Sequence, residues 1–103
     1  MNNDESIEED EPEFGELVRE LDRDNVHITI RGETRRFSKP TTLIQGLPKA
    51  KGELQRVTRE LKKSLATGGN SKDGVVVLQG DKREEAREML VKLGYSREQI
   101  ELL

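Results

Sequence analysis

Val26-His27-Ile28-Thr29-Ile30-Arg31 is the stretch whose reading decides the fold. Val26, Ile28 and Ile30 alternate with His27, Thr29 and Arg31, and a period of two is that of a strand with one buried face. Downstream the period lengthens. Leu54, Val57, Leu61 and Leu65 recur at helical spacing and predict a helix that begins near Gly52 and ends before Gly68-Gly69. Between these two segments, Gly32-Glu33 begins a turn and a second strand runs from about Arg36 to Ile44. Pro40 inside that strand argues for an edge position or a bulge, because proline cannot donate to a ladder. Gly46 and Pro48 then break the chain.

Gly69-Asn70-Ser71-Lys72-Asp73-Gly74 consists of turn-forming residues. Val75–Gln79 reads as a strand, apolar at successive positions and therefore central and covered on both sides. Asp81 suits an N-cap and Glu84 a capping box for a helix that buries Ala86, Met89, Leu90 and Leu93 and ends at Gly94. Ser96 with Gln99 marks a single capped turn before a short strand, Ile100–Leu103. The order ββαβαβ predicts an α+β fold, a two-layer α/β sandwich whose mixed sheet has about four strands. Both helices are expected on one face, leaving the other open.

Upstream of Val26 there is little to bury. Met1–Glu13 is acidic and polar and is expected to be disordered. Phe14, Leu17, Val18 and Leu21 recur at i, i+3, i+4 and i+7, the face of a possible short helix over 14–22, which Gly15 weakens. The expected organisation is an acidic arm, residues 1–24, followed by one domain, residues 25–103.

The formal net charge of −3 conceals an asymmetry. Residues 1–24 hold 11 acids and two bases, whereas residues 25–103 hold 10 acids and 16 bases. The first part therefore carries −9 and the second +6. A basic body with an acidic arm is the pattern of a polyanion binder whose tail competes for its own site or keeps it soluble. Advancing about 100 degrees per residue from Leu54, the apolar positions fall within about 80 degrees of one another. Arg59, Lys63 and Arg56 fall at about 140, 180 and 200 degrees, on the opposite side. Arg31, Arg35, Arg36 and Lys39 add a basic hairpin tip able to fork onto phosphates. Phe37 is the one aromatic platform there, so structured RNA read by backbone and shape suits this surface better than base stacking. Charge alone does not separate RNA from DNA.

Other classes fare poorly. The chain has no cysteine, which excludes a disulfide scaffold, a thiolate zinc site and a thiol nucleophile. The longest apolar run, Val75–Leu78, is far short of the roughly 20 residues of a membrane span. The acidic N-terminus is unlike a secretory signal, and a cytoplasmic protein is expected. His27 is the only histidine, alternates with buried positions, and is expected on the sheet surface without a catalytic partner. Gly68–Gly74 lacks P-loop spacing, and Asp22 and Asp24 fail to open a calcium loop. No enzyme, cofactor or metal site is expected.

In succession, His27-Ile28-Thr29-Ile30, the basic loop through Lys39, Gln45-Gly46-Leu47, Leu61-Lys62-Lys63-Ser64-Leu65-Ala66, Gly68-Gly69, Lys72-Asp73 and Leu78-Gln79-Gly80-Asp81 resemble the translation initiation factor 1 family and its prokaryotic relatives. The resemblance covers about residues 26–103. It implies a factor that binds the small ribosomal subunit near the P site, beside initiator tRNA and other initiation factors, and promotes start-codon discrimination. It also implies that ribosomal RNA is contacted by Arg35, Arg36, Lys39, Arg56, Arg59, Lys62 and Lys63, to which the basic pattern of the chain adds Arg31 and Lys72 as RNA-binding candidates. The chain departs from many archaeal members in having an acidic, cysteine-free arm, and in its Pro48–Gly52 entry to the first helix. A monomer is expected. The rival readings are a general RNA-binding or stress-time regulator of translation and, from another class, a protein-interaction module using the open sheet face.

Overall fold

The computed structural model describes residues 24–35, 38–50 and 52–103, with the backbone alone at Arg35. Residues 1–23 of the expected arm, with the short helix expected over 14–22, lie outside the described residues, as do Arg36 and Phe37 of the hairpin. The alternating segment continues further than its hydrophobic pattern, as strand β1, Ile28–Arg35. It turns back into β2, Lys39–Gln45. Helix α1 spans Glu53–Ser64 and is followed by β3, Gly69–Lys72, and β4, Val75–Gln79. Helix α2 spans Arg83–Lys92, and a 3-10 turn, Arg97–Gln99, leads into β5, Ile100–Leu102.

The five strands form one mixed sheet in the order β3-β4-β2-β1-β5, antiparallel throughout except for the parallel β1–β5 pair. The α+β architecture is thus the expected one with a strand added. The segment Gly69–Lys72, read as turn, pairs with β4 through Gly69↔Leu78, Asn70↔Val77, Ser71↔Val76 and Lys72↔Val75. Gly69 lies so close to β4 that a Cβ there would stand 2.4 Å from the Val77 carbonyl oxygen. Asp73 and Gly74, both at positive φ, make the turn itself.

Register explains the core. Ile30 faces Ile44, Ile44 faces Val76, and Ile28 faces Ile100, so alternate residues of four strands share one side of the sheet. Val57 and Leu61 of α1 and Ala86 and Leu90 of α2 close over them, all fully buried. Met89 and Leu93, expected in the core, are half-buried at its border. Thr42 lies on the same side and is fully buried. Its hydroxyl donates to the Gly80 carbonyl at 2.7 Å and accepts from the Lys82 amide at 2.7 Å, which fixes the approach to α2.

Further local expectations change. Gly32-Glu33, expected to begin the turn, lie inside β1 opposite Thr42 and Thr41. Pro40 sits in β2, which is an interior strand and not an edge; it pairs with Thr34 of β1 and lies one residue beyond the last β2–β4 pair, Thr41↔Gln79, where its carbonyl accepts from the Gly80 amide at 2.9 Å and the Gly80 carbonyl takes the Thr42 hydroxyl. Strand β4 is central, yet Val76 and Leu78 are buried while Val75 and Val77 are only half-buried, so its second face is not fully covered. Asp81 does not cap α2: the N-cap is Lys82, and Asp81 instead accepts from the Arg83 guanidinium at 2.9 Å through both oxygens. This contact holds the Asp81 carboxyl below the usual carboxylate range. The Ser96–Gln99 capping box forms as expected.

Gly46 is where the chain leaves β2, and its φ of 93° belongs to the left-handed region that favours glycine. A Cβ there would lie 2.0 Å from the His27 carbonyl oxygen, so the position excludes a side chain on two grounds. That close approach lets Leu47 turn in and bury itself in the core.

Candidate nucleic-acid interface

Helix α1 has two unlike flanks. On one, Gln55, Arg59, Lys62 and Lys63 follow the i, i+4, i+7, i+8 spacing of a single stripe. This stripe faces the edge strand β3 across an open groove of about 640 Å³. Thr58, Thr67, Gly69, Asn70 and Ser71 complete the lining. The groove thus has a cationic wall, a wall of small hydroxyl and amide side chains, and a strand edge. Arg59, Lys62 and Lys63 are exposed, and among the described residues none of their charges is matched by an ion-paired carboxylate. Lys62 and Lys63 also stand in the last turn, where cations offset the helix dipole.

The other flank is acidic and tied down. Glu53, 4% exposed, accepts from Arg56 Nε and Nη2 at 3.0 and 2.9 Å. The buried Tyr95 hydroxyl donates to the same carboxylate. The Glu53 hydrogen bonds raise the Arg56 pKa above the ordinary arginine value, with partial burial opposing them. Arg56, singled out by charge and wheel angle, is therefore a fixed partner of Glu53 that clamps α1 to the segment after α2. Its i, i+3 spacing from Glu53 was the legible signal. Tyr95 carried none beyond being the sole tyrosine. Removing the hydroxyl with Tyr95→Phe is expected to cost about 1–3 kcal/mol in urea unfolding, the scale of a buried hydrogen bond to a charged group. RNA affinity should stay as it is, because this flank lies away from the groove.

The hairpin supplies the second basic element. Arg31 is exposed on the side of the sheet away from the helices, opposite Leu43, and Arg35 pairs with the exposed Lys39 at the tip. Arg36 lies outside the described residues. Topology brings this tip to the C-terminal end of α1. Thr67 Oγ1 donates to the Gln79 carbonyl at 2.7 Å, the Gln79 amide donates to Gly68 O at 2.9 Å, and Gln79 pairs with Thr41 near the hairpin tip. Arg35, Lys39, Lys62 and Lys63 accordingly share one end of the molecule. Lys72 does not join them; it ends β3 at the opposite end of the sheet, beside the Asp73-Gly74 turn.

His27 is a surface residue as expected, but it has a partner that the linear sequence hides. The parallel β1–β5 register brings Glu101 beside it, with Nε2 3.1 Å from the carboxylate, and both side chains are more than half exposed.

Comparison with known proteins adds a family to this geometry. Residues 24–96 match the family described as Translation initiation factor SUI1. A "Protein translation factor SUI1 homolog" of Nitrosopumilus maritimus is 46% identical over 83 residues, 81% of each chain. The protein of the same description from Sulfurisphaera tokodaii is 41% identical over 85 residues, 82% of this chain and 85% of its own. That from Pyrococcus horikoshii is 38% identical over 93 residues, 90% of each. The family match takes in every described element from β1 to α2, and the chain belongs to the SUI1 family of translation initiation factors.

Proposed function

We propose that the protein binds ribosomal RNA of the small subunit near the P site and, from there, promotes discrimination of the start codon and initiator tRNA. One observation carries the reading: the Arg59–Lys62–Lys63 stripe, without ion-paired carboxylates among the described residues, opens onto a groove at the same end as the hairpin bases. Arg31, Arg35, Arg36 and Lys39 would take phosphates along the hairpin, and Lys72 would make a separate contact at the far end. Arg56 is left out, since its guanidinium is engaged by Glu53. The protein would act by binding one ribosome state better than another, with no catalytic step. Residues 25–103 would be the binding domain and residues 1–24 an appended arm. Among the described residues no helix is long and apolar enough to cross a membrane, and a cytoplasmic, monomeric factor fits this role.

Co-sedimentation with purified small subunits, with and without initiator tRNA and messenger, tests the proposal. A saturable complex of one factor per subunit that responds to initiator tRNA is expected. Titration of many sites with no preference for the subunit would favour the general RNA binder, and indifference to RNA would favour a protein-interaction module. Within that assay, Arg35→Ala with Arg36→Ala should reduce the log–log salt slope of binding by roughly 0.7–0.9 for each phosphate left unneutralised. Stability should move by no more than about 0.5 kcal/mol. An unchanged slope would remove the hairpin from the interface.

A further inference from the structure

We propose that the groove between α1 and β3 has a second occupant, the acidic segment Asp4–Glu13 of this same chain, which fills it while RNA is absent. The inference rests on the groove being the RNA surface only for its consequence, competition, and not for the docking itself.

Three features argue for this occupant. The first is charge. The segment Met1–Glu13 holds seven acids and no base, while the groove's helical wall presents Arg59, Lys62 and Lys63. The second is the strand edge. Among the described residues β3 is the outermost strand of its side and pairs with β4 alone, so its other edge offers backbone donors and acceptors to an extended segment. Side chains of an added strand alternate between the two faces. Asp4, Glu8 and Asp10 fall on one side and Glu5, Glu9 and Glu11 on the other, so either register turns three carboxylates toward the helix. Pro12, lacking an amide hydrogen, ends the stretch able to pair.

The third feature is reach. The described chain begins at Asp24, before β1, and β3 lies three strand positions away, about 14 Å at ordinary strand spacing. Residues 12–23 span at most about 40 Å, and about 24 Å with the short helix expected over 14–22, and either length exceeds that separation. Exposed ion pairs are individually weak, so the seat is held by several of them and by strand pairing, and is sensitive to salt. An arm of this kind discriminates. It displaces RNA that engages the groove alone and yields to RNA that also engages the hairpin.

The test keeps the full chain. All seven acids of Asp4–Glu13 are changed to their amides (Asp4→Asn, Glu5→Gln, Glu8→Gln, Glu9→Gln, Asp10→Asn, Glu11→Gln and Glu13→Gln), which takes the net charge from −3 to +4. Amide resonances of Gly69, Asn70 and Ser71 are compared between this variant and the parent without RNA. They should differ at about 0.01 M salt, where charges are felt over about 30 Å, and converge at about 1 M, where the range is about 3 Å. Coincident resonances at low salt, changes confined to Lys39 and the hairpin, or differences that grow with protein concentration would each overturn the proposal. In a separate titration, the variant should bind an arbitrary single-stranded RNA about two- to fourfold more tightly at low salt, if the arm fills the groove half to three-quarters of the time. Groove changes accompanied by equal RNA affinities would uphold the arm's seat and overturn the groove as the RNA site.

Discussion

Leu61→Ala is expected to lower the free energy of unfolding by about 2–5 kcal/mol. Leu61 is 0% exposed and belongs to the cluster that joins α1 to Ile30, Ile44, Val76 and Leu78 of the sheet. Truncation removes the transfer energy of the deleted methyl groups and leaves a cavity bounded by two layers that cannot both collapse into it. Urea unfolding monitored by far-UV circular dichroism measures the change. In a domain this small, each kcal/mol shifts the thermal midpoint by roughly 4–8 °C, so the variant should melt well below the parent. RNA affinity measured well below that midpoint should be unaltered. A silent substitution would mean that α1 is rotated about its axis, and would take the basic stripe with it, because the same helical phase fixes both faces.

That shared phase is why so much of the scaffold could be read from the sequence. Ile28 and Ile30 on one strand and Val57 and Leu61 on one helix each repeat with the period of their own element. Burial of one face is what stabilises both elements, and it leaves a direct trace in the pattern. Strand β3 left no such trace. Gly69-Asn70-Ser71-Lys72 is held by backbone pairing to β4, and a glycine at its start is needed for close approach to Val77. An edge strand needs no apolar side chains, so composition reads it as a loop. Pro40 misled because an interior strand can hold a proline where the carbonyl opposite has another donor: the Gly80 carbonyl takes the Thr42 hydroxyl.

The basic surface was legible to the same depth and no further. Arg59 and Lys63 follow from helical phase alone, and Lys62 joins them because β3, unseen in the sequence, builds the opposing wall of the groove. Arg56 shows the limit of counting charges. At about 200 degrees on the wheel it looked like part of the stripe, but Glu53 at about 260 degrees claims it, and Tyr95, 42 residues beyond Glu53, donates to the same carboxylate. Burying Glu53 requires that its charge be matched, and a guanidinium three residues on meets the need bidentately. A cation committed in this way is poorly placed to meet a phosphate as well. Lys72 separates from the others for a topological reason: β3 runs from the α1 end of the sheet that holds the hairpin tip toward the opposite end.

Reversing two charges on α1 should have the largest effect on binding of any change at the surface. Arg59→Glu together with Lys63→Glu converts the exposed stripe from cationic to anionic without touching Val57, Leu61 or the Glu53–Arg56–Tyr95 clamp. The exposed helix positions tolerate glutamate, a good helix former, and the main cost is the loss of a cation from the last turn at Lys63, about 0.3–1 kcal/mol. Binding is another matter. Two phosphates go unneutralised, which alone lowers the log–log salt slope by about 1.4–1.8. Two carboxylates are then set against the RNA backbone, and like charges brought together at an interface cost several kcal/mol, more than about 100-fold in affinity. Small-subunit sedimentation should therefore show no complex at salt concentrations where the parent saturates, while the protein stays folded and its unfolding midpoint moves only slightly. Charge-neutral Arg59→Gln with Lys63→Gln separates the two contributions: it should reproduce the shallower slope while retaining part of the affinity. A reversed variant that still saturates the subunit would place the RNA-binding surface elsewhere on the fold, whereas one that unfolds would mean that this face of α1 is packed and not exposed.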